Sequence, residues 1–186
     1  METAIRIAIY IHAFFGGIGL ISGTLSLVTK KGSKIHKKSG KWFVIGMLVS
    51  LGLSLPIASM PGHYSPFLFL IGLFTIYMVL VGKRVLRFKL KTAQVTKADW
   101  AITITMTILS LMMILSGVLN VFGNKILFIF FGIISLVLCF QDFRFWRNPR
   151  KSKTGWLAQH IGKITGAYIA SVTAFLVGGM KVQGLM

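Results

Sequence analysis

Few side chains in this sequence of 186 residues could do chemistry: four histidines, three acids and one cysteine. The histidines are His12, His36, His63 and His160, and each lies in a different stretch of the chain. None belongs to a closely spaced ligand pair of the kind that marks zinc sites, and Cys139 has no second cysteine to pair with. The hydrolase motifs G-x-S-x-G and H-E-x-x-H do not occur. Ligation or hydrogen bonding by imidazole is the chemistry left open.

The elements that must position these histidines are defined by an uneven distribution of charge. Hydrophobic residues make up 55% of the chain and charged residues 13%, with a mean hydropathy of +0.79, which excludes an ordinary soluble domain. Seventeen of the 21 Lys and Arg residues fall in three clusters of six, six and five residues, separated by apolar runs of membrane-spanning length. The clusters are Lys30, Lys31, Lys34, Lys37, Lys38 and Lys41; Lys83, Arg84, Arg87, Lys89, Lys91 and Lys97; and Arg144, Arg147, Arg150, Lys151 and Lys153.

Between successive clusters the chain is expected to cross a membrane twice, turning at residues 61–66 and 123–125. Because basic loops remain on the cytoplasmic side, every second loop is predicted to be cytoplasmic. We therefore expect an all-α fold, a polytopic membrane protein with a six-transmembrane-helix bundle as the single domain 1–186, and with its N-terminus and C-terminus outside. The first span is expected to be retained rather than cleaved as a signal. The predicted spans cover about residues 4–28, 42–60, 66–83, 101–121, 125–142 and 157–179.

The net charge of +18 is explained by the same topology. In a soluble protein it would indicate nucleic acid. Beside membrane spans, positive charge sets topology and attracts anionic lipid, at roughly 1 kcal/mol per residue near the surface. We therefore expect the lipid bilayer and its anionic lipids at the cytoplasmic face as partners, and no nucleic acid. A membrane protein partner docking on the basic loops is the other possibility.

The expected topology divides the histidines by membrane side. His12 and His63 lie toward the outer face, and His36 and His160 toward the cytoplasmic face. Two imidazoles from different helices can ligate a b-type haem without a local cysteine motif, and a haem near each face would carry electrons across the membrane. The outer site is the weaker prediction, because His63 lies in a proline-flanked loop; His12 is the expected outer ligand.

Acids at the cytoplasmic boundary allow a second interpretation, a metal site. Asp99 is placed where it could cap the fourth span. Asp142, at the end of the fifth span, could pair with a neighbouring arginine or orient His160. The resulting set is His36, His160, Asp142 and Asp99, which suits zinc or non-haem iron. In a third interpretation no cofactor is bound and all four histidines are structural.

Small residues line one face of the first and last spans. In the first span, His12 is followed by Gly16, Gly19 and Gly23 at helical steps of four and three. Such a face lets helices approach closely in lipid, and it is also what a flat cofactor needs to lie against a helix. The last span has a small residue at every fourth position over 162–178, which could close the bundle or form a homodimer.

Two stretches resemble an uncharacterised family of small bacterial multi-pass membrane proteins. Residues 36–42, His-Lys-Lys-Ser-Gly-Lys-Trp, are similar to that family's His-Arg-Arg-x-Gly-Arg-aromatic element, which follows a first span with its own histidine, here His12. Residues 156–177 resemble the family's last span, and Ala-Asp-Trp at 98–100 also fits. The resemblance covers most of the chain. It implies a six-span bacterial membrane protein without an established activity, and it leaves His63 outside the recognisable motifs.

The sharpest functional hypothesis is a haem-b-containing electron-transfer protein of the bacterial inner (cytoplasmic) membrane; whether it is an enzyme is left open. His36 and His160 are the predicted cytoplasmic ligands. The alternative is a non-catalytic membrane module that binds lipid or a protein partner through basic loop residues such as Lys37, Lys38 and Arg87.

Overall fold

The structure is a computed structural model that describes the backbone of residues 2–182 and the side chains of residues 3–176. All regular elements in this range are helical, as the sequence predicts. A short 3-10 helix, Val85–Lys89, continues the third α-helix. The α-helices are α1 (Glu2–Val28), α2 (Lys34–Ser59), α3 (Pro66–Arg84), α4 (Lys97–Val118), α5 (Lys125–Arg147) and α6 (Gly155–Val182).

Helices α1 to α5 each have the length and apolar composition needed to cross a membrane. This agrees with a multi-pass integral membrane protein. Helix α6 is long enough, at 28 residues, but it carries polar groups such as Gln159, His160 and Lys163, and over the residues whose side chains the structure describes it is not among these apolar helices. A sixth span therefore stays a prediction. The predicted external carboxyl terminus concerns residues 183–186, which lie outside the described part of the chain.

Two helices extend further into the basic segments than the predicted spans. Helix α2 begins at Lys34 because Ser33 caps it, its side chain accepting a hydrogen bond from the amide of His36 at 3.1 Å. Helix α5 continues to Arg147, past the predicted end at residue 142. Hydropathy marks where the apolar residues stop, whereas helical hydrogen bonding continues into the charged residues.

The helices form two groups of four that share α3 and α6. In the first quartet, α1 packs on α2, α2 on α3, α3 on α6, and α6 on α1. The second quartet contains α3, α4, α5 and α6. In the first quartet α2 and α6 are diagonal partners, and their side chains meet across its middle. The rings of Phe43 and Tyr168 lie 6.3 Å apart, and Ser171 Oγ lies 3.3 Å from Met47 Sδ.

The polar face of α4 forms a packing seam with α5. Trp146 donates from its indole nitrogen to Thr103 Oγ1 at 2.9 Å, and Ser110 donates to Ser135 Oγ at 2.6 Å. At Gly117 an added Cβ would lie 2.9 Å from a backbone carbonyl of α5, so the helices approach closely there. Buried hydroxyls bonded between helices stabilise such contacts in lipid.

The glycines of α1 also allow neighbouring helices to pack closely. A Cβ at Gly19 would lie 2.9 Å from Met47 of α2, and one at Gly23 would lie within 3 Å of the rings of Phe43 and Tyr168. The space beside these glycines is therefore filled by side chains, rather than offered to a flat cofactor. The facing residue of α2, Gly46, allows the closest contact: its Cβ would lie 2.8 Å from the carbonyl oxygen of Phe15.

Replacing Gly46 by alanine should lower the unfolding free energy by about 1–3 kcal/mol, since the methyl group meets backbone that cannot rotate away. Gly52, on the same helix, has open space at its Cβ. There the same substitution should be neutral, or stabilising by up to about 1 kcal/mol through helix propensity. Unfolding in mixed micelles of mild detergent and dodecyl sulfate, followed by circular dichroism, measures both. Equal stabilities for the two variants would contradict this packing.

Candidate functional site

Three of the four imidazoles are fixed in the same way, through a hydrogen bond between ring atom Nδ1 and a backbone carbonyl oxygen of a neighbouring helix. In each case the ring is partly buried and the partner lies far away in sequence or across a turn. The pairs are His12 with Ser50 at 2.8 Å, His36 with Ser26 at 3.0 Å and His160 with Gly82 at 2.7 Å.

This arrangement fixes the tautomer of each ring. A carbonyl oxygen can only accept, so Nδ1 must carry the proton, and in the neutral ring Nε2 then carries the lone pair. Within the described residues Nε2 of these rings makes no hydrogen bond, and the one fully buried side-chain nitrogen without a partner there is Nε of Arg87. The Nε2 atoms are therefore accessible. A carbonyl holding Nδ1 while Nε2 is free is the usual arrangement of a histidine that ligates a metal.

The structure brings His36 and His160 to the same end of the bundle. We call this the basic end; it carries the connections 29–33, 85–96 and 148–154, which together with the adjoining helix ends hold 17 of the 21 Lys and Arg residues. His36 lies in the first turn of α2 and His160 in the second turn of α6. The predicted cytoplasmic pair is thus located on two diagonal helices of the first quartet.

The predicted outer pair is less well defined. His12 is held to α2 at both ring and backbone, because Ser50 Oγ also donates to the carbonyl oxygen of His12 at 3.0 Å. His63 lies exposed in the turn between α2 and α3. Its ring makes no hydrogen bond among the described residues. An imidazole without a fixed orientation is a poor partner for a preorganised site.

Asp142 lies at the centre of a buried polar cluster that differs from the pairing predicted for it. Lys163 Nζ donates to Asp142 Oδ1 at 2.7 Å, and both side chains are 0% exposed. The hydroxyl of Tyr77 donates to the other carboxylate oxygen. Lys163 also approaches Gln159 Oε1 and the carbonyl oxygen of Leu138, each at 3.4 Å. We call Tyr77, Asp142 and Lys163 the buried triad; it joins α3, α5 and α6.

The partner of Asp142 differs from those considered in the sequence. Neither Arg144 nor His160 holds this carboxylate; the cation is Lys163, 21 residues further along the chain. A signal for it exists in the sequence, because Lys163 lies outside the three basic clusters and inside an apolar stretch. An ionisable group in such a position needs a buried partner. Asp142 is the nearest acid in the chain.

Asp99 is saturated by local contacts at the start of α4. Thr96 is the N-cap of α4, and Asp99 occupies position N3 of the capping box that the two residues form. The prediction that Asp99 itself is the N-cap was therefore wrong by three residues. The amide of Thr96 donates to Asp99 Oδ2 at 2.8 Å, Arg84 Nε donates to Oδ1 at 2.7 Å, and Arg87 donates to Oδ2. The side chain of Asp99 is 0% exposed. Arg87, expected to be a free cation for lipid, is therefore engaged inside the protein.

The predicted metal set is not assembled in the described part of the chain. There, no group of three or more His, Cys, Asp or Glu side chains is placed to hold a metal ion. Asp142 and Asp99 are each held by cations, which leaves His36 and His160 as the accessible members. A zinc or non-haem iron site stays a prediction that the geometry does not favour.

Comparison with protein-family models, with curated proteins and with solved structures finds no match to this chain. The family resemblance of residues 36–42 and 156–177 therefore stays a prediction. Any function has to be argued from the arrangement of the side chains.

Removing one partner of the buried ion pair should destabilise the protein strongly. Lys163→Met or Asp142→Leu leaves an uncompensated buried charge, which costs about 3–5 kcal/mol. The double variant should regain most of that loss, because an apolar pair of similar volume replaces an ion pair at little cost. Arg144 is an exposed cation on α5, the helix of Asp142, so Arg144→Met should change the free energy of unfolding little. Circular dichroism of unfolding in mixed micelles measures all four. A double variant that loses the sum of the single effects would show that the two charges act independently.

Proposed function

We propose that the protein is a six-span protein of the bacterial inner membrane that binds a b-type haem at its basic end and serves in electron transfer. Five helices of membrane-spanning character support the membrane part of the proposal. Helix α6 becomes the sixth span because the cation in the middle of its apolar stretch, Lys163, is neutralised by Asp142. Basic connections on the cytoplasmic side then leave the amino and carboxyl termini outside.

The haem proposal rests on one observation: His36 and His160 each have Nδ1 bound to a backbone carbonyl and Nε2 accessible. Through these Nε2 atoms, His36 and His160 would hold the haem iron. A bound haem would supply one-electron redox chemistry. The task of the protein is to hold the two rings in place, which the carbonyls of Ser26 and Gly82 do from α1 and α3.

The aromatic contact two turns along α2 and α6 supports the pairing of these two helices. Phe43 lies seven residues after His36, so it lies two turns further along nearly the same face of α2. Tyr168 lies eight residues after His160, which places it roughly 80° around the axis of α6 from that ring. Phe43 and Tyr168 face each other across the first quartet, with centroids 6.3 Å apart. His36 and His160 thus lie on the two helices that meet across this quartet, and a haem held by both would lie between those helices.

The other predicted ligands and sites agree with the haem proposal to different degrees. His12, with its fixed tautomer, is a candidate ligand for a second haem in the outer half, and His63 contributes least. His12, His36 and His160 are also the histidines on the motifs that suggest membership of the uncharacterised bacterial family. A metal site at the basic end is second, since it has two imidazoles but no available carboxylate.

Purified protein, expressed with ample haem, should show a Soret band and a sharp α band in its reduced-minus-oxidised spectrum. His160→Ala and His36→Ala should each abolish the low-spin spectrum, because one axial ligand is lost. His63→Ala removes an imidazole outside the site and should leave the spectrum unchanged. Colourless wild-type protein would end the haem proposal, and the metal content of the same sample would then test the alternative site.

The proposed orientation predicts which loops a membrane-impermeant maleimide reaches in intact cells. The buried Cys139 is first replaced by alanine, giving a chain without cysteine. A cysteine at position 63 should then react in intact cells, whereas one at position 152, exposed in the α5–α6 connection, should react after permeabilisation only. The reverse pattern would invert the topology and place the basic loops outside.

A further inference from the structure

Most of the positive charge at the basic end has no negative partner inside the protein. The chain has three acids; Asp99 and Asp142 are fully buried and paired, and Glu2 begins α1, far in sequence from every basic cluster. Asp99 accounts for Arg84 and Arg87, and Asp142 accounts for Lys163. The other cations of the three clusters must therefore be neutralised from outside the chain.

Some of these free cations line a cleft between two connections of the basic end. The cleft has a volume of about 790 Å³ and lies between residues 93–95, before α4, and residues 147–151, after α5. Arg150 joins its two walls by donating to the backbone carbonyl of Lys91. Arg147 and Lys151 are exposed and line the same wall as Arg150. The cleft is thus an open, shallow depression that carries three cations.

The cleft walls combine these cations with apolar surface. Ala93, Val95 and Pro149 contribute apolar atoms, and no acidic residue lines the cleft. It begins where α5, a helix of membrane-spanning character, ends at Arg147. A ligand reaching it from the bilayer surface would bring a negative head and an apolar remainder. Guanidinium groups bind phosphate oxygens through paired hydrogen bonds, and a lysine adds a point charge.

We propose that this cleft binds the phosphodiester headgroup of an anionic phospholipid. Arg147 and Lys151 hold the phosphate, while Arg150 keeps the two connections together. The site is independent of the haem proposal, because none of its residues contacts His36 or His160 in the hydrogen bonds described above. The sequence predicted lipid binding by Lys37, Lys38 and Arg87, the last of which Asp99 holds. The proposed site instead uses Arg147 at the end of α5 and Lys151 in the α5–α6 connection.

Native mass spectrometry of the detergent-purified protein, titrated with phosphatidylglycerol or phosphatidylcholine, tests the proposal. Wild-type protein should bind phosphatidylglycerol at least tenfold more tightly. Arg147→Gln with Lys151→Gln should lose about fivefold in affinity for each cation removed. Lys37→Gln with Lys38→Gln is the matched control, since it removes two exposed cations outside the cleft, and it should change affinity much less.

Each other outcome overturns the assignment. Equal losses in the two double variants would mean that surface charge alone attracts the lipid. Equal binding of the two lipids by the wild-type protein would exclude the site without any variant. Millimolar inorganic phosphate that displaces the lipid completely would identify a soluble phosphate compound as the ligand. A visible spectrum of the same samples tests the haem proposal separately, so failure of one proposal is distinguishable from failure of the other.

Discussion

The ion pair between Lys163 and Asp142 is the constraint on which the rest of the arrangement depends. Neither charge can lie in an apolar environment without the other, and both are completely buried. Helix α6 therefore has one longitudinal position relative to α5, and the hydroxyl of Tyr77 adds α3 to the same contact. His160 lies three residues before Lys163, less than one helical turn away. The pair thus also sets the height at which His160 meets the carbonyl of Gly82.

Backbone carbonyls fix the orientation of the histidine rings once the helices are in place. His12, His36 and His160 each bind a backbone carbonyl of a helix other than their own. The orientation of each ring therefore depends on how that neighbouring helix packs, rather than on another side chain. Close packing of α1 on α2 at Gly46 keeps the carbonyl of Ser26 near His36 and the carbonyl of Ser50 near His12. A polar ring in an apolar bundle must find such a partner, and the carbonyl leaves one nitrogen available. The same contact that satisfies a buried imidazole therefore also prepares it as a ligand.

Hydropathy and charge predict the helices of this chain well, and the chemistry of the site less well. The turn at residues 123–125 is confirmed, with Gly123 and Asn124 both at positive φ, because apolar residues stop there on either side. Hydropathy places the start of the second span at about residue 42, whereas α2 begins at Lys34 because Ser33 caps it. The partner of Asp142 lies on another helix, and a sequence shows which residues are charged but not which helices are adjacent. Carbonyl contacts of the histidines are still harder to predict, since every residue has the same carbonyl group.

The charge at the basic end links the two proposed sites. Adding an electron to a haem removes one positive charge, so neighbouring cations such as Lys37 and Lys38 favour the reduced form and raise the reduction potential. An anionic headgroup bound in the cleft between residues 93–95 and 147–151 would oppose that field. The effect would need no change of structure, and salt would screen it at separations beyond roughly 8–10 Å at physiological ionic strength. Asp99 and Asp142 are already paired with cations of the protein, so the proposed lipid would supply negative charge that these acids do not. The composition of the membrane would then set part of the electrostatic environment of His36 and His160.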